Sequence, residues 1–231
     1  MNISGLQKTT LLDYPNHVAA TIFLSGCNMR CPFCHNMNLV MSDSCESYTT
    51  EDILSFLSKR KGILDGVCIT GGEPTLYPDL PDFIRSIKSL NLAVKLDTNG
   101  TNPNMLSSLM EEGLIDYVAM DIKSSPDTYG TVCGVSDISL DNIYASVGIL
   151  LSSNICYEFR TTIVAEYHTA SVMHDIGRML KGADKYYLQS FTDSEYVPNH
   201  NLSPVSSDTL ISYQTILSDY INQVYIRGVD I

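Results

Sequence analysis

Three cysteines, Cys27, Cys31 and Cys34, stand in C-x3-C-x2-C order within the short loop 25–36. Thiolates are soft ligands, and three of them in one loop can converge on a single soft metal centre. A structural zinc site wants a fourth ligand; His35 adjoins Cys34 and is poorly placed to close a tetrahedron, and the chain has no second C-x2-C pair. A [4Fe–4S] cluster usually takes four cysteines, so three leave one iron open to an external chelator. The spacing favours that open-iron cluster, with a zinc site or incidental thiols as the alternatives.

Further residues able to do chemistry recur at the ends of short apolar runs. Gly71-Gly72-Glu73 follows one such run, Asp97-Thr98-Asn99 a second and Asp121-Ile122-Lys123 a third; Arg160 and Thr162 lie within a fourth, and Gln189-Ser190 closes a fifth. Glycines let backbone approach a ligand closely, and a carboxylate or backbone oxygen beside them suits an ammonium group. In parallel βα folds the C-terminal ends of the strands build the working site.

The elements that must hold these residues can be read from periodicity. Residues 18–24, 66–70, 92–97, 117–121, 157–164 and 185–189 read as strands, with a short terminal run at 223–226. Helical patterns occupy 51–61, 79–90, 103–112, 140–152, 171–180 and 208–221. Thr49 with Asp52 three residues on is a helix-capping pattern, and Ile53, Leu54, Phe56 and Leu57 follow on one stripe. Pro81 and Pro103 suit first-turn positions, where a missing N–H costs nothing. Strands alternating with helices predict a parallel sheet with right-handed crossovers. Six βα units are too few for a closed eight-fold barrel. The expected fold is therefore α/β, a partial (β/α)6 TIM-like barrel open at the strand C-terminal side, in one domain over 1–231 with an N-terminal extension at 1–16.

Composition narrows the function classes. The chain has 231 residues, 44% of them apolar and 17% charged, with a formal charge of −12. That is too apolar for a disordered chain, and too acidic for duplex nucleic acid to be the main partner. The longest apolar stretch, around 18–24, is far too short to span a membrane. The start of the chain has neither a charged nor an apolar leader segment, which points to the cytoplasm. Seven cysteines is an odd number, and in a reducing compartment it indicates metal or redox chemistry rather than a disulfide framework. Cys68 and Cys156 fall in or beside strand runs and read as small buried hydrophobes. Cys45 and Cys133 read as loop residues with no partner at ligand spacing, so a single cluster is expected. His168 and His174 flank a helix start and read as surface or packing residues.

The C-x3-C-x2-C loop with Phe33 before its last cysteine, together with Gly71-Gly72-Glu73-Pro74, resembles the radical S-adenosylmethionine (SAM) superfamily. More narrowly, Gln7-Lys8-Thr9-Thr10-Leu11-Leu12-Asp13-Tyr14-Pro15, Cys31-Pro32-Phe33-Cys34-His35-Asn36 and Tyr225-Ile226-Arg227-Gly228 resemble the activating proteins of anaerobic ribonucleoside-triphosphate reductase, relatives of the pyruvate formate-lyase activating enzyme. The resemblance implies a radical SAM core. Cys27, Cys31 and Cys34 would hold the cluster, and SAM would chelate the open iron through its amino and carboxylate groups. Phe33 and His35 would lie beside the adenine, and Gly71, Gly72 and Glu73 would meet the methionine amino group. Asp121 and Lys123 would approach the cofactor and its ribose, while Arg160 would offer a forked donor to the methionine carboxylate. Asp97, Thr98, Met120 and Asp121 match a monovalent-cation site of the formate-lyase activase, or, by a plainer reading, Asp97 and Thr98 cap a turn. The chain departs from that relative after its sixth strand, where Gln189-Ser190-Phe191 stands in place of an adenine-side histidine.

The function so implied is that of a glycyl radical enzyme activase. Flavodoxin or ferredoxin would reduce the cluster, and cleavage of SAM would give a 5′-deoxyadenosyl radical that takes a hydrogen from a glycine of the partner. That partner would be the anaerobic ribonucleotide reductase, its peptide loop entering the open barrel mouth. Two rivals stand beside it. A radical SAM enzyme acting on a small metabolite would share the cluster but need a closed polar pocket. A noncatalytic iron–sulfur or zinc module would leave Glu73, Asp121 and Lys123 unexplained.

Overall fold

The computed structural model describes residues 1–41 and 48–229, so Cys45 lies outside the described residues. The chain forms an eight-stranded sheet whose strands follow one another in sequence order. The sheet is mostly parallel and does not close, the partial TIM-like α/β class expected. By internal packing the chain divides into two compact units: Met1–Asn28, Asn38–Thr98 and Asn102–Ala119 form the first, and Met29–Met37, Asn99–Thr101 and Met120–Ile231 the second.

In the first unit β1 (Ile3–Thr10) runs antiparallel to β2 (Ala19–Leu24), which pairs in parallel with β3 (Gly66–Gly71), itself parallel to β4 (Ala93–Thr98). β1 lies in the stretch expected to be an extension. Only Ile3 and Thr10 at its ends are buried, and Leu6 is the one large apolar residue between them, so no alternating pattern betrays it. β2 and β3 are largely apolar runs because both faces are covered, whereas β4 carries Lys95, Asp97 and Thr98. The short α1 (Met37–Met41) precedes α2 (Thr50–Lys59), which begins with the expected capping box: Asp52 N–H donates to Thr49 Oγ1 and Thr49 N–H to Asp52 Oδ2, each at 3.0 Å. Such a cap contributes about 1 kcal/mol. α3 (Leu80–Lys88) buries Leu80, Phe83, Ile84 and Ile87, one face of a 3.6-residue period. α4 (Pro103–Glu111) has Pro103 in its first turn and is capped by Asn102 Oδ1, which accepts from Met105 N–H. β5 (Tyr117–Asp121) contributes its first three residues here.

The second unit holds the rest of β5, the short α5 (Tyr129–Cys133), α6 (Leu140–Leu151), β6 (Cys156–Ile163), α7 (Ala170–Met179), β7 (Lys185–Ser190), α8 (Ser207–Ser218) and β8 (Gln223–Arg227). β6, β7 and β8 pair in parallel. Ser139, Thr169 and Ser206 cap α6, α7 and α8 through their side chains. Phe159, Ile163, Tyr186 and Leu188 of the strands and Ile143, Met173, Ile176 and Leu217 of the helices are all 0% exposed. Among the described residues no helix is long and apolar enough to cross a membrane.

Candidate functional site

In the first unit the end of β3 is built around Glu73, which is wholly buried. Its Oε1 accepts from Thr75 N–H at 3.1 Å, from the Thr75 hydroxyl and, at 2.7 Å, from the Thr98 hydroxyl at the end of β4. Asn102 Nδ2 donates to the Thr75 carbonyl, tying the same turn to the start of α4. Glu73 N–H donates to the Gly26 carbonyl at 2.8 Å, and Gly72 N–H to the Leu24 carbonyl at 2.7 Å. Gly72 lies so close to Gly26, the residue before Cys27, that a Cβ there would fall 1.8 Å from the Gly26 carbonyl oxygen. The glycine is a packing necessity. The Glu73 carboxylate thus fixes strand ends, and its backbone carbonyl accepts from Leu76 N–H.

Asp97 and Thr98 end β4. Asp97 Oδ1 is bonded by the ammonium of Lys95, two residues earlier on the same strand face, and Cys68 Sγ stands 3.7 Å from both. Cys68 is buried, as expected for a small hydrophobe, but it sits in this charged group. Lys95, 2% exposed, was not singled out in the sequence.

In the second unit Asp121, Lys123 and Arg160 form one charge group. Arg160 Nε bonds Asp121 Oδ1, and Lys123 Nζ donates to Asp121 Oδ2 at 2.9 Å. Burial would push the Asp121 carboxyl up, but the charges of Arg160 and then Lys123 outweigh it and hold the group well below the usual carboxylate range. Burial would pull Lys123 down; Asp121, and after it Cys31, outweigh that and keep the ammonium protonated far above neutrality. The backbone turn carrying Lys123 is pinned by His168, which is also buried: Val164 N–H donates to its Nδ1 at 3.0 Å and its Nε2 meets the Lys123 carbonyl at 3.0 Å. Burial pushes His168 below its ordinary value, so the ring is neutral, with Nε2 as the donor. His168 is the packing residue anticipated, with a positioning task that its sequence context does not reveal.

The cysteine loop in this unit is held from several sides. Cys34 N–H donates to the Cys31 carbonyl, closing a turn, while Arg30 N–H donates to the Cys133 carbonyl at 2.8 Å and Asn199 N–H to the Pro32 carbonyl at 3.1 Å. Gly134 ends α5 at φ 70°, and a Cβ there would fall 2.1 Å from the Arg30 carbonyl oxygen. Cys133, expected in a loop, is therefore buried at a helix end that supports the cysteine loop. Phe33 packs near Tyr167, ring centroids 6.3 Å apart, and His35 near Phe191 at 5.8 Å. Phe191 thus lies beside the residue expected at the adenine, in the segment where the chain departs from the formate-lyase relative. Burial lowers His35 from its ordinary value, leaving a neutral ring. Burial pushes the Cys34 thiol up, with the Asn36 N–H and the Lys123 charge opposing. Cys156 differs from expectation: it begins β6 on the exposed side, so it is not a core residue. His174 meets the Tyr220 hydroxyl at 3.2 Å.

Cys31 and Cys34 of this unit have the donor chemistry an iron–sulfur cluster takes, while among the described residues no group of three His, Cys, Asp or Glu side chains is placed to hold a metal ion. At Cys34 burial outweighs the opposing Lys123 and Arg30 charges, so loss of the thiol proton is disfavoured in the metal-free protein. A metal would drive that deprotonation on binding. Cys27, in the first unit, is half-buried.

A mostly parallel open α/β sheet with charged residues at its strand ends and a cysteine loop defines a class of cofactor-using enzymes. The family model of the radical SAM superfamily matches residues 21–165. The chain belongs to that superfamily, whose members use a [4Fe–4S] cluster and SAM. It is 32% identical over 234 residues, 99% of this chain and 96% of the relative, to a candidate glycyl-radical enzyme activating enzyme of Methanocaldococcus jannaschii. The pyruvate formate-lyase-activating enzyme of Clostridium pasteurianum is 27% identical over 63% of this chain and 62% of its own. In fold the chain is similar to Streptococcus suis SuiB bound to S-adenosylmethionine, with a TM-score of 0.69 at 14% identity over 90% of this chain and 52% of SuiB.

Proposed function

We propose that this radical SAM enzyme is a glycyl radical enzyme activase, and that its partner is an anaerobic ribonucleotide reductase. The observation that carries the activase reading is the match over nearly the full length of both chains to the Methanocaldococcus jannaschii relative. The resemblance of residues 7–15 and 225–228 to reductase activating proteins supports the partner.

Cys27, Cys31 and Cys34 would ligate three irons of the cluster. When bound, the cluster with SAM would supply reductive one-electron chemistry able to start hydrogen abstraction from a glycine of the partner. The chain's own residues orient and shield. Asp121 holds Arg160 and Lys123 as fixed cations, which suits the methionine carboxylate and the ribose hydroxyls. Their charges need no reorganisation when a ligand arrives, because the carboxylate already fixes both side chains. Backbone oxygens at Gly71–Glu73 would accept from the methionine ammonium. Phe33 and the neutral His35, backed by Phe191, offer an apolar seat for adenine. Flavodoxin or ferredoxin would be the electron donor.

The test is anaerobic. Iron and sulfide are reconstituted, the protein is reduced, SAM is added, and 5′-deoxyadenosine is measured with and without the reductase. Cleavage together with a glycyl-radical resonance on the reductase is the expected result, and Cys31→Ala should abolish both. Cleavage that a small metabolite raises, with no radical on any reductase, would overturn the activase reading. No cleavage by protein with an intact cluster would overturn the catalytic one.

A further inference from the structure

The sequence places Asp97 in an expected monovalent-cation site, yet a cation already stands on it. Lys95 and Asp97 lie at i and i+2 of β4, on one face of a strand whose intervening residue, Leu96, is fully buried. The Lys95 ammonium bonds Asp97 Oδ1 directly. Neither side chain is at the surface: Lys95 is 2% exposed and Asp97 9%. The strand register sets Lys95 opposite Cys68 of β3, whose sulfur lies 3.7 Å from the ammonium. The Tyr117 ring lies 6.0 Å from it on another side. A polarizable sulfur, a π face and a carboxylate make a seat for one positive charge.

A buried ammonium needs a counter-charge, and a buried carboxylate likewise. Here each answers the other. A metal ion entering beside Asp97 would meet the ammonium at about 4 Å, a repulsion that lowers its affinity by roughly a thousandfold at an effective dielectric near 20. We propose that the Lys95 ammonium is the resident monocation of this strand end, so that the enzyme needs neither Na+ nor K+ there. Lys95 is then a positioning residue: it holds Asp97 through charge, and with it the strand end that carries Thr98, the hydroxyl bonded to Glu73. The SAM readout below rests on the cofactor reading given above; the ion readouts do not.

The experiment uses the reconstituted protein in tetramethylammonium chloride, titrated with NaCl or KCl at constant ionic strength. Sodium NMR linewidths and the thermal midpoint report ion binding, and equilibrium dialysis reports SAM affinity. The wild type should show no saturable response to either ion, and a SAM Kd constant within about twofold. Lys95→Met should acquire a saturable rise in midpoint, and its SAM affinity should fall by about tenfold and recover with added ion. Lys95→Arg, which keeps the charge, should behave as the wild type. A saturable ion response in the wild type overturns the proposal, and so does a folded Lys95→Met that loses stability yet gains no ion response. Should Lys95→Met not fold, the wild type and Lys95→Arg still decide it. If the wild type binds no SAM in any salt, the cofactor reading fails while the ion readouts stand.

Discussion

Glu73 separates two roles that a carboxylate beside a ligand can have. If its charge meets the methionine ammonium directly, neutralising it should damage SAM binding. If its work is internal, what matters is an acceptor oxygen at Oε1. Three buried donors converge there, Thr75 N–H, the Thr75 hydroxyl and the Thr98 hydroxyl. Glu73→Ala removes the acceptor of all three, at about 1–3 kcal/mol for each unsatisfied donor, so a loss of roughly 3–9 kcal/mol is expected. That is a large share of the ~5–15 kcal/mol that holds a domain together. Glu73→Gln keeps an oxygen at the same place and should cost about 1–2 kcal/mol, the difference between charged and neutral acceptors. Urea unfolding gives the stabilities, and equilibrium dialysis of the reconstituted protein gives SAM affinity. Glu73→Gln should bind SAM within about fivefold of the wild type, a difference below 1 kcal/mol. A folded Glu73→Gln whose SAM affinity falls a hundredfold would refute this reasoning, because only direct charge contact would explain it.

Two further changes probe the supports of the site. Gly72→Ala would set a methyl 1.8 Å from the Gly26 carbonyl oxygen, so the β3 turn or the start of the cysteine loop must move. A loss of about 1–3 kcal/mol in stability and reduced iron retention after reconstitution are expected; an unchanged thermal midpoint with full iron would count against the packing argument. His168 has its folded pKa below the unfolded value because burial disfavours the charged ring. Its contribution to stability is complete above about pH 6.5 and is lost as pH falls towards the folded pKa, at up to about 1.4 kcal/mol per pH unit. His168→Gln should remove that slope, read as the difference between wild type and variant in urea unfolding from about pH 5 to 7.5; parallel curves would show that His168 does not carry it.

What could be read from the sequence was what is local in it. Cysteine spacing, the Thr49–Asp52 cap, the apolar strands and the polar residues at their ends are patterns over a few positions, and the fold class followed from their alternation. Two motifs that carried the family resemblance turn out to have structural work. Tyr14, before Pro15, is buried, stacked on His17 with ring centroids 3.9 Å apart, and it fills the space that makes Gly66 necessary. Arg227 grips the buried Glu158 with two hydrogen bonds and lies 3.3 Å over the Tyr187 ring, on which Tyr225 stacks. A motif that marks a family can thus have work inside the fold.

The supports that escaped the sequence are of a different kind. Glu73 to Thr98 is a separation of 25 residues, His168 to Lys123 of 45 and Arg160 to Asp121 of 39. Each is a contact made by strand order, and no short window contains both partners. Lys95 is the exception, since its partner is two residues away. A lysine at an alternate position of a strand otherwise composed of Ala93, Val94 and Leu96 contradicts a two-sided apolar run, and the one residue able to neutralise it on that face is Asp97. A charged residue that breaks a buried strand's pattern brings its counter-charge with it, and where that counter-charge is itself an expected ion ligand, the broken pattern is the sign that the ion has been replaced.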